Sequence, residues 1–95
     1  MGLFGGKHKS LKQLDDQILA ARMSLAMYDK LPEENQSIAR ERVGEALRTA
    51  SRAAADAGQG AQARQRLDEA LKKPPVPEPV DLRWADVIAE AKSAL

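Results

Sequence analysis

From Leu11 to Tyr28 the chain sets Leu11, Leu14, Ile18, Ala21, Leu25 and Tyr28 at steps of three and four. Only an α-helix brings such a series onto one side, so the chain must hold at least one long helix whose apolar seam needs cover. Ser10 and Gln13 have capping-box spacing, which predicts a start at Ser10 and a helix over about 10–30. Leu19 and Met23 or Met27 are expected to broaden the seam into a globular face.

What covers the seam follows from the punctuation. Leu31-Pro32-Glu33-Glu34 ends one helix and opens another, because proline suits a first helical position and acids suit the positive end of the helix dipole. The second helix is expected over about 32–57, stopping at Gly58 as a left-handed cap. Its inward face reads Ile38, Ala39, Val43, Ala46, Leu47, Ala50, Ala54 and Ala57. Seventeen of the 95 residues are alanine, and so small a face gains from burial only if another helix comes close. A helical hairpin with the bulky seam on the alanine face satisfies both. A third helix is expected over about 61–73, with Ala63, Leu67, Ala70 and Leu71 facing inward. Asp68/Lys72 and Glu69/Lys73 form i,i+4 pairs on its wet side.

Four of the six residues 74–79 are prolines. They forbid helix and favour an extended spacer, with a reach on the order of 20 Å at ~3.1 Å per residue. Asp81 is then expected to cap a last helix over about 82–94, carrying Trp84, Val87, Ile88, Ala91 and Leu95 on one face. The fold class is therefore all-α. Residues 1–9 read as a flexible leader, 10–73 as a three-helix domain, 74–80 as a proline-rich linker and 81–95 as a C-terminal amphipathic helix.

Ala63, Leu67, Ala70 and the proline soon after them are similar to the second helix of a tetratricopeptide repeat, with residues 44–57 as its first helix. The aromatic and Leu-Gly positions of such repeats are missing, and one repeat cannot bury its own face. The resemblance implies hairpin packing and no more.

Chemistry is absent from the inventory. The one histidine, His8, sits in a Gly-Gly-Lys-His-Lys stretch with nothing to orient its ring, and a nucleophilic or metal site needs several converging groups. Asp15-Asp16 and Glu33-Glu34 are neighbours, which diverge by roughly 100° on a helix and do not form one acid–base site. No phosphate loop follows Gly58 or Gly60. We expect no enzyme, no catalytic residue, no cofactor, no metal and no small-molecule substrate. With no cysteine, no export signal and no apolar run near ~20 residues, the chain reads as cytoplasmic and off the membrane.

Interaction with another protein, or with further copies of itself, is what remains. Small chains bury too little surface to be stable without help. The roles this fits are adaptor, inhibitor, assembly chaperone or structural subunit. Leu11, Leu14, Ile18, Leu25 and Tyr28 are the expected core or dimer seam. Trp84, Val87, Ile88, Ala91 and Leu95 are the expected docking face, unless that helix folds back and completes its own bundle. Leu3-Phe4 in the leader could serve as a short peptide ligand; Gly6 stands where Gly2 acylation would need Ser or Thr. The alternative is nucleic-acid binding. Residues 40–73 carry a net charge of +3 between a stretch of −3 and one of −2. Arg40, Arg48 and Arg52 are the candidate phosphate contacts, although Glu41 and Glu45 lie close to them.

Overall fold

The computed structural model describes the backbone from Gly2 to Leu95 and the side chains from Lys9 onward. The leader's Leu3-Phe4 and His8 readings lie outside the described residues. The described chain is all-helical. Helix α1 spans Gly2–Ala26, a 3-10 turn covers Tyr28–Lys30, and α2 spans Glu33–Asp56. Two more helices follow, α3 at Gly60–Leu71 and α4 at Trp84–Lys92. Ser10 is not a cap: it lies inside α1 and is buried.

The hairpin forms as expected, and its corner is held by side chains. Pro32 precedes the first turn of α2, where Glu33 and Glu34 meet the positive helix end. Gln36 Nε2 donates to the carbonyls of Tyr28 and Leu31 at 3.2 and 3.1 Å, adding a second donor to the Tyr28 oxygen that already accepts from the Leu31 N–H. At the other end of α2, Gly58 adopts φ +79°. Its N–H donates to Ala55 and that of Gln59 to Ala54, the Schellman pattern that only a residue tolerant of positive φ completes easily.

One core joins all four helices. Leu14, Ile18, Ala21, Leu25 and Tyr28 meet Val43, Leu47, Ala50 and Ala54 of α2, and Ala63, Leu67 and Ala70 of α3. Trp84, Val87, Ile88 and Ala91 of α4 complete it, with Leu11, Ala39, Leu82 and Leu95 packed at its edge. Six of these sixteen fully buried apolar residues are alanine. Small side chains let backbones approach, and the buried Gly44 lies under the Arg48 and Glu90 side chains, where a Cβ would come 3.1 Å from the Arg48 guanidinium.

Three expectations of inward facing fail. Ile38 is half exposed, Leu71 is exposed, and Leu19, Met23 and Met27 do not broaden the seam. The reason is angular. At ~100° per residue Leu19 and Met23 of α1, and Met27 just past its end, lie about 140° or more around the helix from Leu14. The side they occupy has no helix on it.

Candidate interaction surface

The expected docking helix, α4, is part of the chain's own core. Trp84 is 1% exposed, and its indole Nε1–H donates to the Ala70 carbonyl at 2.7 Å. Val87, Ile88 and Ala91 are buried beside it, and Leu95 is half-buried at the core edge. This corrects the docking-face reading. Four of these five side chains are already covered and Leu95 is partly so, and the alternative in which the helix folds back is the one observed.

The proline segment that leads to α4 is correspondingly not a free spacer. Pro75 and Pro79 are buried, while Val76 and Val80 point outward. Arg22 Nε donates to the Lys73 carbonyl at 3.1 Å, and the Glu78 carboxylate accepts from the Trp84 backbone N–H at 2.9 Å. Glu78 thus serves the start of α4, the part expected of Asp81. Asp81 instead pairs with Arg40 at 3.1 Å. Prolines with no N–H to bury fit against apolar surface without an unpaired donor, so an extended run can be packed as readily as it can be free.

The seam residues Leu14, Ile18, Leu25 and Tyr28 are buried within one chain, and Leu11 packs against them. They are core and not a dimer contact. Tyr28 is held further by Arg40, whose Nη2 donates to the phenol oxygen at 2.9 Å while the guanidinium lies 5.8 Å from the ring centroid.

Half of the arginines in 40–66 are engaged with acids. Arg40 faces Asp81, Arg48 faces Glu90, and Arg66 faces Asp15. Of the three candidate phosphate contacts, only Arg52 forms no ion pair among the described residues. Lys92 completes the ties between helices, donating to Asp68 at 2.6 Å. That hydrogen bond holds the Asp68 carboxyl below its ordinary range. Partial desolvation opposes it, and the charges of Lys92, Arg64 and Lys72 reinforce it. Among the described residues no three metal-ligating side chains converge, and no helix is long and apolar enough to cross a membrane.

Ile38, Leu71, Val76 and Val80 are exposed at separate places, and the one exposed row among the described residues runs along α1. Leu19, Met23 and Met27 are 52, 62 and 55% exposed. At spacing i, i+4, i+8 they form one stripe along the helix. Beside it, toward α2, runs a shallow groove of mostly small and polar residues, with Ile38 and Val43 in its wall. Three cavities of about 470, 430 and 190 Å³ lie along this groove, and Arg42 lines all three. The sequence reading missed this surface because it assigned the stripe to the core. The signal was present: α1 carries more large apolar residues than one face can hold.

No family model, curated protein or solved structure matches this chain.

Proposed function

We propose that this chain is a small, non-enzymatic protein–protein interaction module, working as an adaptor, inhibitor, assembly chaperone or structural subunit, with the cytoplasm as its expected setting. Its helical faces do the work, and its partner is another protein, a further copy, or both. The observation that carries this is the Leu19-Met23-Met27 stripe. Single exposed apolar residues are ordinary, but a row of three large ones on a chain that otherwise buries its seam marks a contact surface. Methionine suits such a surface, since its unbranched, polarizable side chain adapts to the shape it meets.

The test is recovery of bound proteins from the source cell's extract with the full chain and with Leu19→Lys combined with Met23→Lys. The reading predicts that the double variant keeps its helical circular dichroism and loses the bound proteins. An unchanged set of bound proteins would remove the stripe from the account. The rival, nucleic-acid binding, draws support from Arg42, Arg52 and Arg64, which form no ion pair among the described residues. It predicts affinity for a duplex or single strand that falls steeply with salt and with Arg52→Ala.

A further inference from the structure

We infer that Met23 and Met27 form a site of reversible oxidation, at which a peroxide converts each exposed thioether to a sulfoxide while the fold stays intact. The chain has no cysteine and three methionines, so thioethers are the only sulfur on which such chemistry can act. Methionine commonly serves as an adaptable filler of irregular cores. Here the core holds none: its sixteen buried apolar residues are leucine, isoleucine, valine, alanine, tyrosine and tryptophan. Met23 and Met27 are instead 62 and 55% exposed, four residues apart on one side of the chain, with the exposed Leu19 in line with them. Met1 lies outside the described residues.

The reaction balances with hydrogen peroxide as the oxidant. A sulfur lone pair attacks one peroxide oxygen, the O–O bond breaks, and the departing hydroxide takes the proton left on the transferred oxygen. One sulfoxide and one water result; sulfur gives up two electrons and the peroxide gains them. No acid or base from the chain is needed, so access to the sulfur is the requirement, and both positions meet it. The return step uses a sulfoxide reductase and two thiols, which become a disulfide as the oxygen leaves in water. A sulfoxide is polar, and within a core or a methionine-rich interface it disrupts packing. At Met23 and Met27 it meets solvent, so the fold is spared and the surface changes. The row of Leu19, Met23 and Met27 then loses two of its three apolar side chains. This rests on the interaction reading above and supplies its regulation: oxidation releases what the row holds, and reduction restores it.

The test treats the full chain with hydrogen peroxide and follows each methionine by peptide-mapping mass spectrometry, in native buffer and in urea. Wild type is compared with Met23→Leu combined with Met27→Leu, which keeps the apolar bulk and removes both sulfurs. Met23 and Met27 are expected to gain one oxygen each, at the same rate in both solvents. Circular dichroism and Trp84 emission stay as they were. Oxidised wild type elutes earlier from a native hydrophobic-interaction column, and a sulfoxide reductase with dithiothreitol reverses the shift. The treated double variant, which keeps only Met1, shifts less. Native rates far below those in urea overturn the site. So do a loss of fold on oxidation, an equal shift in the double variant, or a shift that the reductase does not reverse. From the source cell's extract, oxidised wild type is expected to lose the proteins that the treated double variant keeps. Bound proteins that survive oxidation, but not Leu19→Lys combined with Met23→Lys, overturn the inference alone; proteins that survive both remove the interaction reading as well.

Discussion

Two side chains show how this small core is balanced residue by residue. Ser51 is fully buried in α2, and its hydroxyl has no hydrogen-bond partner. Burying a hydroxyl without a partner costs about 1–3 kcal/mol, and alanine is the better helix former. Ser51→Ala is therefore expected to leave stability unchanged or raise it by up to about 1 kcal/mol, read from urea midpoints at constant m. A loss of more than that amount would mean that the hydroxyl has a partner. Asp68 carries the opposite lesson, a surface group whose folded environment favours its charge. Its carboxyl is held below the ordinary range, first by the Lys92 hydrogen bond. The unfolded chain binds its proton more readily than the folded one. The contribution is therefore present above the unfolded value, about pH 4, and fades as pH falls through the lower folded value. Thermal melts of wild type and Asp68→Asn should differ slightly at pH 7 and converge on acidification. A gap that widens as pH falls would contradict the assignment.

At the scale of the element, α4 decides how the rest is understood. Its Trp84 indole donates to a backbone carbonyl of α3, and its Glu90 and Lys92 reach Arg48 and Asp68 on different helices. Deleting residues 83–95 would remove Trp84, Val87, Ile88 and Ala91 from the core that α2 and α3 share with them. The truncated chain should lose its cooperative thermal transition, not persist as an intact three-helix domain. A sharp transition near that of the full chain would show that α4 is dispensable. The helices themselves were legible, because the three-and-four spacing of Leu14, Ile18, Ala21 and Leu25, Pro32 and Gly58 act through local physics. The destination of α4 was not. An amphipathic face carrying Trp84, Val87 and Ile88 reads the same whether it covers its own bundle or another protein, and the acceptor that settles the indole is a main-chain oxygen. The stripe on α1 was missed for a related reason. Leu19 and Met23 signal apolar surface, but the sequence does not say which side of the helix meets α2.

As a whole, the molecule answers the shortage of bulky residues by closeness. Buried alanines along α2 and α3 let helices approach, α4 supplies the largest side chain of the core, and ion pairs such as Arg40–Asp81 tie distant segments together. Among the large apolar side chains left outside, Leu19, Met23 and Met27 form a row along α1, while Ile38, Leu71, Val76 and Val80 lie elsewhere. The central claim is that the chain closes its own core and offers that row, not the tryptophan helix, to a partner. Trp84 is the sole tryptophan, so its emission reports the claim directly. The prediction is blue-shifted fluorescence, shielded from iodide, that stays the same from the most dilute sample to the most concentrated. Emission of a water-exposed indole in the chain alone, shifting to the blue only when another protein is added, would contradict it.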